Sequence, residues 1–533
     1  MEADLLLHNG SILTLDPAVP RVESLAIAAG RVLAVGDFRT LSSLRGRRTE
    51  IVDLEGGCGL PAFTDSHCHL NAYGLAMDEV DCSPRAAPTL ADVKARIATA
   101  ARSVRPGHWV QARGYDDTQL RPAGHPTRRD LDDSARDVPV ILRRRCGHVC
   151  VANSLALQMA GITNTGPDVA GGTIDRDVEG VPTGVLRERA QQLVRNLIPP
   201  PDVDTLKRAI LRAADAYLRE GFCAVHDASG ARMEELAAYR ALAEEQRLPL
   251  RVTVMVRDPW ITDVMASGLA TGFGNEWVKV GPYKLFADGG IGPRTAAVSR
   301  PYQDEPENFG VPWYSSEELT AHAVRGASAG FAVAIHAIGD AAIEMAITAL
   351  TAAARAGPRI AYPHRIEHCV LPTSDHIERM RHLGIAAVVQ PTFLYALGDS
   401  WVAALDPALA RRCYPLRSMQ RAGVLVTGGS DCPVVSSHPL QGIQTLVARR
   451  TESGAPIVPE EALDRETAVR LYTDVPPRLM GEHHVRGRLV PNMAADVVVL
   501  SADPLTTPLE ELAGLRVLTT ITGGQIRWQG GAH

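Results

Sequence analysis

The chain has 533 residues, 45% hydrophobic and 22% charged, with a formal charge of −6; this is a globular balance with no cationic footprint for nucleic acid. Its length exceeds one ordinary core and suits a barrel of roughly 250 residues or more with accessory units. A small molecule is therefore the expected partner, with neither nucleic acid nor membrane.

Met1 to Asp4 are acidic where a secretory signal is basic, and no apolar run approaches the roughly 20 residues of a membrane span. A cytoplasmic location is expected. The nine cysteines are odd in number and form no CxxC pair, which argues against a disulfide framework and a zinc ribbon. Only Lys94, Lys207, Lys279 and Lys284 are lysines among the 55 basic residues, so each retained lysine invites a chemical question.

In chain order, residues 4–7, 11–15, 24–27 and 32–35 read as short strands of a small antiparallel sheet, separated by Gly and Pro turns. Residues 487–489, 496–500, 517–521 and 525–528 repeat the pattern at the other end. Neither set buries a sheet face alone, so the two ends are expected to form one β-sandwich from residues 1–60 and 481–533. Between them, residues 62–66, 222–226, 251–256, 282–287, 331–335, 364–367, 385–389 and 424–427 are eight apolar strand candidates, most followed by alanine-rich helical stretches. That is the count of a (β/α)₈ TIM barrel, an α/β fold, spanning residues 61–480. About 150 residues separate the first two candidates, which predicts an inserted subdomain, residues 75–215, covering the mouth and shaping specificity.

The chemistry gathers at strand ends. In Asp65-Ser66-His67-Cys68-His69, alternation along a strand lets His67 and His69 aim two imidazoles at one ion. Such a pair alone is weak, but His336, His368 and Asp431 close the fifth, sixth and eighth strands. Recurrence on one rim points to a divalent metal, zinc by ligand type, with an open position for a water. Lys284 lies on the fourth strand between apolar neighbours. A neutral lysine amine can take up carbon dioxide, and the resulting carboxylated lysine would bridge two ions; an ion pair with Asp288 is the alternative.

These residues resemble the amidohydrolase superfamily, specifically its family-3 branch of N-substituted formamide deformylase-like metal-dependent hydrolases. The resemblance runs nearly end to end, through Gly59-Leu60-Pro61, His67-Cys68-His69, Gly147-His148, Asn153-Ser154, Lys284-Leu285-Phe286-Ala287-Asp288-Gly289, His336-Ala337-Ile338-Gly339-Asp340, Arg365-Ile366-Glu367-His368 and Gly429-Ser430-Asp431. It implies that His67, His69 and Asp431 hold one ion and His336 and His368 a second, with N6-carboxylated Lys284 between them where the site is binuclear. Cys68, where aliphatic residues are common, and Tyr115, where the branch often has Trp, depart from the pattern without touching a ligand.

The expected reaction is hydrolysis of a non-peptide C–N bond, amide or formamide-like, with metal-bound hydroxide attacking the carbonyl and Asp431 as general base and then acid. A heterocyclic amine deaminase with a mononuclear site, or a non-catalytic amidohydrolase-like scaffold, are the alternatives. His148, Asn153 and His226 are candidate substrate contacts, each with a structural reading beside it. Glu367, by strand alternation, is expected to point away from the site toward the helices, and Arg294 is ambiguous. Arg143, Arg144 and Arg145 read either as recognition of an acid or as surface charge. A homodimer is the class-level expectation for assembly.

Overall fold

A computed structural model describes residues 1–104, 107–230 and 232–530. Eight parallel strands form its centre: β1 (Phe63–Cys68), β2 (Phe222–Asp227), β3 (Arg251–Arg257), β4 (Val278–Phe286), β5 (Val333–Ala337), β6 (Arg365–His368), β7 (Ala386–Val389) and β8 (Val426–Gly428). Each pairs in parallel with the next. All eight expected strands are present, and β4 begins earlier than its apolar run suggests. Their sequences are buried nearly throughout, as in Val333–Ala337 and Ala386–Val389, because a parallel strand inside a helical ring has no solvent face.

The seam between β8 and β1 is closed by the loop after β8. The amides of Ser430 and Asp431 donate to the His67 carbonyl at 3.1 and 2.7 Å. Gly429 makes the approach feasible, since a Cβ there would stand 2.8 Å from the His67 nitrogen. The helical ring uses ordinary start signals: Asp202 caps Val203–Arg219, and Ser315 and Thr373 close capping boxes on Ser316–Ser328 and Ser374–Leu383.

Both ends of the chain meet in two packed sheets. One is four-stranded, with Arg31–Gly36, Ser24–Ala28, Ala3–His8 and Arg45–Asp53 in that order. The other is six-stranded, with Gln525–Gln529, Val517–Thr522, Val497–Leu500, Cys58–Pro61, Ser11–Leu13 and Arg21–Val22. Leu5, Leu7, Ile27, Val497, Val499 and Ile521 share the core between them, while Val498 and Leu500 face the barrel. The small antiparallel sheet expected at the N-terminal end is corrected in detail. Its strands divide between the two sheets, and Ala3–His8 pairs in parallel with Arg45–Asp53. The chain crosses over at Asn9, whose φ is +59°, and at Gly10, where a Cβ would meet Gly57 O and Leu54 Cβ at 2.6 Å. That tight turn sends Ser11–Leu13 to the C-terminal strands.

After β1 the chain builds a further six-stranded sheet, in the order Gly172–Arg176, Pro182–Glu188, Val149–Ala152, Val140–Arg144, Val110–Tyr115 and Val80–Asp81. Alternation divides its side chains: Val110, Ala112, Val140, Leu142, Val149 and Val151 pack on one face, and Ile141, Cys150, Ala152 and Leu186 on the other. Among the described residues, no helix is long and apolar enough to cross a membrane.

Candidate metal centre

The site grows from the C-terminal ends of the barrel strands. His67 lies within β1 and is fully buried. His69 follows the strand, at the head of the helix Leu70–Ala76, and the two rings stand 5.5 Å apart at 80°. Asp65 ties this strand to the opposite end of the barrel order. One of its oxygens accepts from the amides of Ser430 (2.9 Å) and His67 (3.1 Å), and the other from the Ser430 hydroxyl (2.5 Å). The next residue, Asp431, is thereby held in a left-handed conformation with φ +60°.

Ligand atoms of His67, His368 and Asp431 all lie within 4.8 Å of one another. Asp431 Oδ1 is 3.3 Å from His67 Nε2 and 2.8 Å from His69 Nε2, yet among the described residues neither Asp431 Oδ1 nor His67 Nε2 has a partner in hydrogen-bond geometry. Buried polar atoms are rarely left in that state. Nitrogen and oxygen atoms that converge without bonding one another suit a shared cation, and an imidazole and carboxylate set suits a divalent one. The residues fit the metal.

The remaining expected ligands surround this group. His368 closes β6 with φ +71°; its ring lies 4.9 Å from that of His67 and 4.3 Å from that of His336. Gln390 Oε1 engages His368 Nδ1 at 2.7 Å, leaving Nε2 for an ion. His336 Nε2 meets the Gly289 carbonyl at 3.0 Å, leaving Nδ1. Lys284 is buried on β4 with Nζ 4.9 Å from the centre of the Phe286 ring. Burial pulls its ammonium down to about 8, against the opposing pull of Glu367 and Asp431. No carboxylate pairs with Lys284 within 4.0 Å among the described residues, Asp288 included, because Asp288 accepts from the amides of Ala297, Ile338 and Gly339.

Burial disfavours the charged imidazoles: His368 is pulled down to about 3 and His336 well below its usual value. Neutral imidazole is the ligating form. Burial also opposes the charge of Asp431, but the His67 and His69 imidazoles hold its carboxyl well below the usual carboxylate range.

Glu367 requires a correction. It does not face the helices; it is fully buried inside the barrel, where Oε2 hydrogen-bonds His67 Nδ1 and Oε1 stands 2.5 Å from Arg365 Nε. Arg365 and Glu367 alternate inward together, and the left-handed turn at His368 brings the next side chain back to the site. A carboxylate behind a ligating histidine fixes its ring and tautomer.

The three candidate substrate contacts separate. His148 stands at the mouth, its ring 5.4 Å from that of His336 and its Nδ1 2.9 Å from Glu188 Oε2. Trp313 Nε1 donates to the same oxygen at 2.9 Å. Burial works against a charged His148, but Glu188 outweighs it and raises the imidazole to about 9. Asn153 is instead a buried cap. Its Oδ1 accepts from Ala156 N and Val140 N, and its Nδ2 donates to Ala135 O and Val138 O, which exhausts its bonding capacity. His226 has no exposed surface and its Nδ1 meets Arg365 Nη1 at 3.0 Å; it lies inside the barrel, not at its mouth. Arg294 pairs with Asp304 at 2.7 Å. Arg144 is bonded by Asp116 and Asp117 and Arg145 by Asp116, while Arg143 pairs with Glu79.

Gln390, Glu188 and Asp65 were not singled out as contributors by sequence. Gln390 carried a signal, since it is the polar residue that ends the apolar run Ala386–Val389 at the ligand-bearing rim. Cys68 is buried, and Tyr115 is buried with its hydroxyl 2.9 Å from His125 Nδ1.

Comparison with known proteins agrees with this geometry. The profile of the amidohydrolase family matches residues 50–527. N-substituted formamide deformylase of Arthrobacter pascens is 29% identical over 540 residues, covering 99% of this chain and 98% of that protein. Protein LONG AFTER FAR-RED 3 of Arabidopsis thaliana is 31% identical over 535 residues, covering 98% of this chain and 91% of its own. Among solved structures, an uncharacterized metal-dependent hydrolase from Pyrococcus horikoshii OT3 superposes with a TM-score of 0.77 at 28% identity, covering 95% of this chain and 99% of that one. Barrel, rim histidines and the match over residues 50–527 converge: the chain belongs to the amidohydrolase family.

Proposed function

We propose that the protein is a divalent-metal-dependent hydrolase that cleaves a non-peptide C–N bond, of amide or formamide type, in a small molecule. The observation that carries this reading is the convergence of His67 Nε2, His368 and Asp431 Oδ1 with no hydrogen bond to satisfy the first and last. The likeness to an N-substituted formamide deformylase along nearly both whole chains supports the bond type.

His67, His69 and Asp431 would hold one ion, zinc by donor type, and His336 and His368 a second, with Lys284 N6-carboxylated between them. A divalent ion there supplies Lewis acidity, lowering the pKa of a water and polarising a carbonyl. The side chains do the rest. Asp431, ionised at neutral pH, takes the proton of the attacking water and returns it to the leaving nitrogen. His148, fixed by Glu188 and Trp313, faces the carbonyl oxygen from the inserted sheet. Glu367 keeps His67 in one tautomer, and the inserted sheet limits entry of bulk water.

The test combines metal analysis with turnover. Chelation is expected to abolish hydrolysis of N-formyl and N-acyl amides, and zinc, manganese or cobalt to restore it, with one or two ions per chain. Two ions in the wild type and a lower count in Lys284→Met would support the bridging lysine. Undiminished amide hydrolysis after complete metal removal would overturn the reading, and release of ammonia from heterocyclic amines in preference to amides would favour a deaminase.

A further inference from the structure

His226 is fully buried inside the barrel, yet the chemistry set out above gives it no task. It lies on β2, and Arg365 lies on β6, four strands on in a ring of eight and so on the opposite wall. His226 Nδ1 stands 3.0 Å from Arg365 Nη1. A guanidinium only donates, so Nδ1 accepts, and the imidazole is neutral with its proton on Nε2. Burial and the Arg365 charge favour that form, holding the ring well below its usual value. Among the described residues His226 Nε2 has no hydrogen-bond partner, so the contact with Arg365 is the polar anchor of the ring.

The neighbouring strands leave room for the crossing. Arg365 pairs in register with Ala334 of β5 on one side and with Ala386 of β7 on the other. Two methyl side chains flanking one of the longest side chains let it extend over the barrel axis, where inward side chains fill the core in layers. At its far end the guanidinium meets two neutral acceptors from adjacent strands, His226 Nδ1 of β2 and Met255 Sδ of β3, the latter 3.3 Å from Nη2.

Arg365 Nε lies 2.5 Å from Glu367 Oε1, but off hydrogen-bond geometry. Charge holds that contact, and charge has little directionality. The plane of the guanidinium is therefore set by its two Nη contacts. Glu367 Oε2 in turn hydrogen-bonds His67 Nδ1, which leaves His67 Nε2 facing Asp431 Oδ1 at 3.3 Å. One continuous set of contacts thus runs from His226 through Arg365 and Glu367 to a ligand atom. Arg365 and Glu367 cancel each other in charge, and because His226 and Met255 are neutral they orient the cation without competing with Glu367 for it. Without His226 the buried guanidinium keeps its charge but loses a donor's partner, and it satisfies that donor by turning further onto Glu367. Glu367 is then drawn from His67.

We propose that His226 is a positioning residue of the metal centre: it orients Arg365 across the barrel, and Arg365 holds Glu367 against His67. The inference rests on the metal-site reading above and is independent of the bond that is cleaved.

The test is a double-mutant cycle on metal affinity, read with the full chain by competition for zinc with a chromophoric chelator. His226→Leu removes the acceptor and is expected to weaken zinc binding about 5- to 20-fold, the scale of a hydrogen bond to a charged group. His226→Gln offers a neutral oxygen in its place and is expected to stay within about twofold of wild type. The double variant His226→Leu with Glu367→Gln is expected to bind zinc no more weakly than Glu367→Gln alone, because the route to His67 is already cut. Met255→Leu, of similar volume, removes the other neutral acceptor and is expected to weaken binding about threefold. It reads the same route if circular dichroism shows that His226→Leu folds poorly. Wild-type affinity in both His226→Leu and Met255→Leu, equal losses in His226→Leu and His226→Gln, or losses that add in the double variant would overturn the proposal and leave the hydrolase reading in place. The expected pattern of zinc affinities in a protein that hydrolyses no amide would uphold the positioning role and overturn the hydrolase reading instead.

Discussion

Glu367 on β6 reaches across the inside of the barrel to hydrogen-bond Nδ1 of His67 on β1, and its other oxygen lies against Arg365. Burial works against the Glu367 carboxylate, but Arg365 and His67 hold it well below the usual range. The site therefore stands on a fixed anion that lies beneath the ligand face of His67. Glu367→Gln is expected to weaken metal binding about 10- to 100-fold, measured by competition with a chromophoric chelator. Glu367→Ala leaves Arg365 buried without a carboxylate and is expected to cost about 3–5 kcal/mol in urea unfolding. Wild-type metal affinity in Glu367→Gln would remove this role.

Asp431 combines two demands, a carboxylate in the proposed metal site and a left-handed backbone with φ +60°. Asn tolerates that conformation, so Asp431→Asn isolates the chemistry. Its kcat is expected to fall by about 10²- to 10⁴-fold, while the variant retains metal when metal is in excess, as read by elemental analysis. A variant with near wild-type kcat would exclude Asp431 as the proton carrier.

His148 and Asn153 lie five residues apart and are expected to respond in opposite ways. Asn153→Ala removes the cap of Ser154–Met159 and three further buried hydrogen bonds. It is expected to destabilise the inserted sheet by about 2 kcal/mol or more, with kcat/KM unchanged at 25 °C. His148→Gln is expected to keep the melting temperature within a few degrees and to lower kcat/KM by about 100-fold or more. The reverse pattern would exchange their roles.

Glu482 clamps the barrel away from the site. It pairs with Lys279 of β4 and with Arg486, which donates to Thr64 of β1 at 3.0 Å. Burial opposes the Glu482 charge, but Arg486 and Lys279 outweigh it and hold the carboxyl down to about 2 from 4.5. A depressed folded-state value contributes stability that is present above 4.5 and is lost as pH falls toward 2. The stability gap between wild type and Glu482→Gln, on the order of 3 kcal/mol at most, is therefore expected to shrink across that window. Urea midpoints at several pH values check this, and a gap independent of pH would contradict it.

Much of the barrel was legible because its strands are short apolar runs that end in a polar ligand. Ala334-Ile335-His336 and Val426-Thr427-Gly428, followed by Asp431, announce both strand and rim. What alternation misjudged lies where the backbone leaves the ideal strand or where depth matters. The direction of Glu367 depends on how β6 is rotated within the barrel, and His368 turns back only because its φ is +71°. His226 resembles a rim histidine in sequence, yet it faces Arg365 inside the barrel, since strand tilt and stagger decide the layer.

The sequence alone therefore determined which residues can ligate an ion, on which strand ends they fall, and that both chain ends must combine to bury a sheet. These follow from residue chemistry and local periodicity. Tertiary structure alone decided that Glu367 stands behind His67, that Asn153 is a cap, and that His226 faces Arg365 inside the barrel. The partners of Asn153 lie 3 to 18 positions away and Glu367 lies 300 from His67, and no local pattern carries the rotation of one element against another.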